Sequence, residues 1–284
     1  MDVSIIIVNY NTCELTGKAI DSVVNTVKGH SYEIILVDNG SSDGSAEAFR
    51  RRKDIVFIET GENLGFSKAN NIGIKASKGR RILLLNSDTI ARSGAIDRSM
   101  EYMDSTGIKV LGAKVVLPDG RLDKACKRSF PTPSNSVWHY MYLDRVFRAS
   151  RTFGAYNLTY LDEDEIGMVE CIMGAYMMVD REVIDSVGLL DEDFFMYGED
   201  IDWCYRMVEA GYGIIYYPEA VITHYKKASF NKRRKESIRE FYDSMWIFYE
   251  KHYKEKYGKG VSLAMYAGIK GKMALDLAIN SLKR

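Results

Sequence analysis

The stretch RILLLNSDTI, residues 81–90, runs through four apolar side chains and stops at Asn86, Ser87 and Asp88. A short apolar run of this kind, bounded by polar turn residues, reads as a buried strand with an acid at its carboxyl end. The same grammar precedes it three times. VSIIIV (3–8) is followed by NYNT, EIILV (33–37) by DNGSSDGS, and IVFIE (55–59) by TGENLGFSKANN. Helix-period segments lie between these runs, through Leu15, Ala19, Val23 and Val27, near residues 45–52, and near residues 66–76. Strands alternating with helices give βαβ units and a mostly parallel sheet covered on both faces, so the predicted class is α/β. Ligands of open α/β sheets bind at the carboxyl ends of the strands. Four such ends rich in Asn, Asp, Ser and Gly form one polar rim, and Asp88 sits on it.

The rest of the chain divides by composition. Residues 121–168 break the rhythm with SFPTPSNS, the aromatic cluster WHYMY (138–142) and the acidic run DEDE (162–165), and read as a variable, partly helical insertion. An ordered block follows from 169 to 225, read as strand, short helix, loop, a helix over about 201–210 stopped by Gly211, and two short strands. Residues 226–284 form a basic, then mainly helical, extension to a unit spanning 1–225.

Composition excludes some classes. The 284 residues carry 39 basic and 39 acidic side chains, so no whole-protein field points to nucleic acid. Cys13, Cys126, Cys171 and Cys204 form no C-x-x-C pair, which argues against a zinc knuckle or a disulfide framework. The N-terminus leads directly into a strand, and no apolar run approaches the ~20 residues of a membrane span. The expected setting is cytoplasmic. Neither a G-x-x-x-x-G-K-[ST] loop nor a G-x-G-x-x-G after the first strand is present.

Several residues on the rim carry chemistry. Asp88 suits either a helix cap or a ligand for a hard divalent cation that bridges to a diphosphate. Asp38 suits an Asx-turn with Ser41 or a hydrogen bond to a nucleoside, with Asn9, Tyr10 and Asn11 beside it. Gly65 permits close backbone approach, and Asn70 offers a polar contact. In YGEDIDWCYR (197–206), Glu199, Asp200 and Asp202 crowd a helix start, where one carboxylate serves as a general base or all three answer the helix dipole. His224 closes AVITH as a metal ligand or a structural histidine. KKASFNKRRK (226–235), with six cations and no acid, is a solvated face or a site for diphosphate or anionic lipid. The WHYMY rings suit an acceptor sugar or the core, with Trp138 as the test position.

Taken together, VSIIIVNYNT, EIILVDNGSSDGS, NLGFSKANNIGI, RILLLNSDT, MGAYMMVDREVIDSVGLLDEDFFMYGEDIDWCYR and ITHY resemble the family 2 glycosyltransferases of the GT-A fold. Within that family they are most similar to the bacterial rhamnosyltransferase-like branch of cell-surface polysaccharide synthesis. The resemblance covers residues 1–225 and implies a GT-A, Rossmann-like sheet. NSD stands where the family carries D-x-D, which makes Asp88 a metal ligand with Mg2+ or Mn2+ and Asn86 a departure from the usual first acid. Asp38 matches the base-binding acid, with Asn9, Asn11 and Asn39 beside it. Gly65, Phe66 and Asn70 match the donor-contacting loop, and the resemblance counts Asn86 and Ser87 among the donor-binding residues as well. Asp200 matches the catalytic base with Glu199 as neighbour, and His224 a histidine that completes the metal or diphosphate site.

The implied activity is inverting transfer of a sugar from a nucleotide-diphosphate donor, dTDP-rhamnose or a UDP-hexose, to a glycan or lipid-linked hydroxyl. Implied partners are the donor, the acceptor, a membrane surface met peripherally through residues 226–235, and a second copy met through the helical tail. A sugar nucleotidyltransferase shares the polar-edged sheet, but its basic, Gly-rich signature loop is missing. A non-catalytic nucleotide-sugar or glycan-binding module would not need the carboxylates of GED.

Overall fold

The computed structural model describes residues 1–226 and 234–282. The mixed sheet runs in the order β3-β2-β1-β4-β8-β6-β9-β5, formed by β1 (Val3–Asn9), β2 (Tyr32–Asp38), β3 (Val56–Glu59), β4 (Arg81–Leu85), β5 (Thr89–Ala91), β6 (Val110–Val116), β8 (Tyr176–Asp180) and β9 (Ile214–His224). The short β7 (Gly167–Val169) pairs with β9. Strands β3, β2, β1 and β4 are all parallel, whereas β8 is antiparallel to both β4 and β6. The fold is therefore α/β, as the alternation of strands and helices predicts.

Ile5, Ile6, Ile7, Ile34, Ile35, Leu36, Ile82 and Leu83 are fully or almost fully buried, because helices cover both faces of these strands. The cover comes from α1 (Cys13–Thr26), α2 (Ser45–Arg50), α3 (Phe66–Ala76) and α4 (Ala95–Thr106). Gly73 shows how closely α3 approaches: a Cβ there would lie 2.5 Å from Ile6 Cγ2.

Sequence and structure differ at β9. Pro218 suggests a break and two short strands, yet the chain forms one strand. The β6 register passes from Ala113↔Tyr217 to Lys114↔Val221, so a bulge accommodates the proline, which lacks the N–H a regular ladder needs. The continuous strand carries His224 to the rim, where it pairs with Thr89 next to Asp88.

The 121–168 segment is partly helical, with α5 (Pro133–Tyr140) and α6 (Leu143–Val146). After α7 (Arg181–Val187) and α8 (Glu199–Glu209) come the long helices α9 (Arg234–His252) and α10 (Lys259–Leu282), and α9 docks on α8 through His252 Nε2 and Asp202 Oδ1 at 2.7 Å. Of the basic stretch 226–235, residues 227–233 lie outside the described residues. Among the described residues no helix is long and apolar enough to cross a membrane.

Candidate active site

The carboxyl ends of β1, β2 and β4, the start of α8, the end of β9 and the inner faces of α5, α9 and α10 enclose a cavity of about 720 Å3. Of the residues singled out from sequence, Tyr10, Asn39, Gly65, Phe66, Asn86, Ser87, Asp88, Glu199, Asp200 and His224 all line it. Asn9, Asn11, Asp38 and Asn70 do not. They brace the loops behind the wall.

Asp38 is 3% exposed; its Oδ1 accepts from Asn9 Nδ2 at 2.7 Å and its Oδ2 from the Ser41 amide at 3.1 Å. The Asx-turn thus forms, and Asn9 joins β1 to the β2 loop. Asn11, at φ 55°, accepts from the Ser42 amide, and Asn70 Nδ2 donates to the Phe66 carbonyl. Asn39 Nδ2 donates to Asn63 Oδ1 and the Gly65 carbonyl, holding the loop that leads into α3. That loop needs its glycine. Gly65 has φ 86°, and a Cβ there would lie 2.6 Å from the Phe195 carbonyl oxygen.

Asp88 caps no helix, since α4 starts at Ala95 behind Gly94. Its Oδ1 lies 3.0 Å from His224 Nε2, and the other ring nitrogen, Nδ1, lies 3.5 Å from Asp123 Oδ2. Lys226 Nζ approaches the same Asp123 oxygen at 2.7 Å. Burial works to raise the Asp123 carboxyl, but His224 and Lys226 outweigh it and hold the group at about 2. Burial also opposes charge on His224, yet the two carboxylates prevail and raise its pKa. Asn86 Oδ1 beside them is buried with no hydrogen-bond partner among the described residues.

At the start of α8, Asp200 Oδ2 accepts from Arg128 Nη2 at 2.7 Å and faces the Gly174 amide at 3.3 Å, while Oδ1 accepts from the Ile201 amide at 2.8 Å. Burial and the neighbouring Asp200 charge push the Glu199 carboxyl up to about 8, and its Oε2 is buried with no hydrogen-bond partner among the described residues. Asp202 faces away from the cavity, paired with Arg206 Nε at 2.8 Å and with His252. The three acids of GEDID therefore separate into two at the site and one that anchors α9.

Two site residues escaped the sequence reading. Arg128 pairs with a carboxylate 72 residues away, and Asp123 with a histidine at the end of β9, the strand beside β6 but remote in sequence; neither lies in a local motif. In ACKRSF (125–130) Arg128 stands between Lys127 and Ser129, so its immediate neighbours give no sign that it is buried. In the aromatic cluster, His139 and Tyr140 line the cavity, whereas Trp138 packs edge-on against Phe153 at 5.5 Å. The remaining wall mixes the apolar Met245, Phe248, Met265 and Ile269 with polar side chains such as Glu240 and Asp276.

The family model described as "Glycosyltransferase like family 2" matches residues 1–243. The chain belongs to glycosyltransferase family 2. Among curated relatives, the low-salt glycan biosynthesis hexosyltransferase Agl10 of Haloferax volcanii is 29% identical over 72% of this chain and 61% of its own length. The N-acetylglucosaminyl-diphospho-decaprenol L-rhamnosyltransferase of Mycobacterium tuberculosis is 27% identical, over 76% and 73% respectively. The dTDP-rhamnosyl transferase RfbF of Shigella flexneri is 25% identical over 77% and 67%. This chain thus spans about three-fifths of the first of these relatives and about three-quarters of the second.

Solved structures agree on the fold. Residues 1–349 of Staphylococcus aureus TarS align with TM-score 0.58 at 15% identity over 94% of this chain and 72% of that one. GalNAc-T7, crystallised with UDP, GalNAc and Mn2+, aligns with TM-score 0.59 at 15% identity over 80% and 44%. The architecture is the GT-A fold of glycosyltransferases.

Proposed function

We propose that the chain is an inverting glycosyltransferase that moves a sugar from a nucleotide diphosphate, dTDP-rhamnose or a UDP-hexose, to a hydroxyl of a lipid-linked or glycan acceptor. The observation that carries this reading is the convergence of the Asp88–His224 pair and the Glu199–Asp200 pair on one cavity at the carboxyl edge of the sheet. Family membership sets the reaction class. Asp200 takes the proton of the acceptor hydroxyl as that oxygen attacks the anomeric carbon, the bond to the diphosphate oxygen breaks, and configuration inverts. Arg128 holds the carboxylate through Oδ2 while the Ile201 amide fixes Oδ1, so the base is oriented before the acceptor arrives. Glu199, kept neutral by burial, adds no second charge beside it.

The donor-side proposal assigns the nucleoside to Tyr10, Asn39 and the loop braced by Asn9, Asn11 and Asp38, and the diphosphate to the edge formed by Gly65, Phe66, Asn86 and Ser87, with Asn70 behind it holding the first turn of α3 through the Phe66 carbonyl. Among the described residues no three His, Cys, Asp or Glu side chains form a metal cage. Asp88 Oδ1 and His224 Nε2 still suit Mg2+ or Mn2+, because Asp123 behind His224 orients the ring as carboxylates do behind metal-binding histidines. A divalent cation held there supplies charge stabilisation for the departing diphosphate.

Residues 1–225 make up the transferase unit in this reading, and 226–284 an extension whose helices close the cavity. A cytoplasmic site of action, at the inner face of a membrane carrying the acceptor, and pairing of two copies through the extension belong to the same proposal. The test is release of nucleoside diphosphate from a panel of nucleotide sugars, with and without Mg2+ or Mn2+. Metal-dependent release from one donor, lost in Asp88→Ala, supports the reading. Pyrophosphate turnover with a sugar phosphate would replace it with a nucleotidyltransferase.

A further inference from the structure

Helix α5 has two faces with different tasks. Ser136, His139 and Tyr140 line the cavity, whereas Val137 and Met141, just past the helix end, point outward. The turn and α6 continue the outer face with Tyr142, Val146 and Phe147. Val146 is 71% exposed, Met141 59% and Phe147 50%, a concentration of exposed apolar side chains within one short segment.

Charge on this hairpin is one-sided. Arg145, Arg148 and Arg151 are exposed, and the one acid between residues 133 and 160, Asp144, is buried. Asp144 is turned inward, accepting from Asn157 Nδ2 at 2.8 Å and facing His139 Nδ1 at 3.3 Å. Arg145 lies over the Tyr142 ring at 4.5 Å and Arg151 over Tyr160 at 5.6 Å. Among the described residues none of the three arginines has an ion-pair partner. A surface of apolar and aromatic side chains among unpaired arginines is complementary to an anionic bilayer. The rings and aliphatics reach the acyl boundary, and the guanidinium groups meet the headgroups.

We infer that the α5–α6 hairpin, residues 133–151, is a docking surface for an anionic lipid bilayer and brings the cavity wall on its inner face to membrane-borne acceptor. The purpose rests on the proposed lipid-linked acceptor, but the binding does not. The apolar wall of Met245, Phe248, Met265 and Ile269 in the same cavity suits the lipid end of such an acceptor.

The test uses the full chain carrying Trp203→Phe and Trp246→Phe, so that Trp138 is the emitter, with phosphatidylcholine vesicles, with and without phosphatidylglycerol, read by co-sedimentation and by quenching with brominated lipid. Wild type is expected to bind the anionic vesicles and to be quenched. Val146→Ser/Phe147→Ser should lose the quenching. Arg145→Gln/Arg148→Gln/Arg151→Gln should bind roughly 100-fold more weakly, from the contribution of three surface cations. Both variants should keep the vesicle-free rate of nucleoside diphosphate release.

Equal vesicle affinity of wild type and both variants would overturn the inference, as would failure of wild type to bind. A wild-type dimer that dissociates in Val146→Ser/Phe147→Ser, without vesicle binding, would assign the face to a second copy instead. Hairpin-dependent vesicle binding without release from any donor would uphold the docking surface and count against the transferase reading alone.

Discussion

Replacing Arg128 by Met tests how the base is held. Arg128 Nη2 and Asp200 Oδ2 are 2.7 Å apart, with side chains 9% and 14% exposed, so water cannot take over the role of the guanidinium. Removing one partner of such a pair leaves a buried charge uncompensated and costs about 3–5 kcal/mol, more than the net worth of the intact pair. Asp200→Asn strands the buried guanidinium instead, and its smaller effect on stability comes from the amide oxygen, which still accepts from Arg128. The double variant should recover most of the loss, since the unpaired charge is gone. The cycle therefore predicts strong non-additivity, with the double variant about 2–3 kcal/mol more stable than the sum of the single effects. Urea unfolding of the four proteins measures it. Additivity within about 0.5 kcal/mol would show that the two side chains do not depend on one another.

Three further outcomes follow from the site. Glu199 has a folded-state pKa of about 8 against an ordinary 4.5, so folding takes up a proton between those pH values and stability falls as pH rises through the window; thermal midpoints from pH 5 to 8.5 should decline for wild type relative to Glu199→Gln, and parallel curves would remove the argument. Asp123→Asn should weaken Mn2+ binding about 10–100-fold by calorimetry through loss of the charge behind His224, whereas unchanged affinity would place Asp123 outside the metal site. Gly65→Ala meets a left-handed φ and the Phe195 carbonyl together, so it should destabilise by more than the roughly 1–2 kcal/mol of the dihedral alone, and a thermal midpoint equal to wild type would show that the loop yields.

The first four strands and their polar ends were legible because a buried parallel strand needs a continuous apolar run and a ligand-facing edge needs polar residues. VSIIIVN and RILLLNSD satisfy both requirements locally. The carboxylates of GED were legible for the same reason, crowded at one helix start. What escaped was long-range pairing. Nothing near Arg128 announces Asp200, and nothing near Asp123 announces His224, because the sheet order that joins them is not encoded in any short window. The two short strands expected at the end of the 169–225 block are one strand, because a bulge in the register removes the need for the N–H that Pro218 lacks. Asp202 is one of three acids crowded at that helix start, and the helical period turns it away from the other two, toward Arg206, four residues on, and His252.

The most direct test of the account compares wild type and Asp200→Asn in donor binding and in nucleoside diphosphate release from the preferred nucleotide sugar. If Asp200 is the base, donor affinity should stay within about threefold while turnover falls by about 10^2–10^4. Turnover retained in Asp200→Asn at intact donor binding would contradict the central claim and move the base to another residue of the cavity.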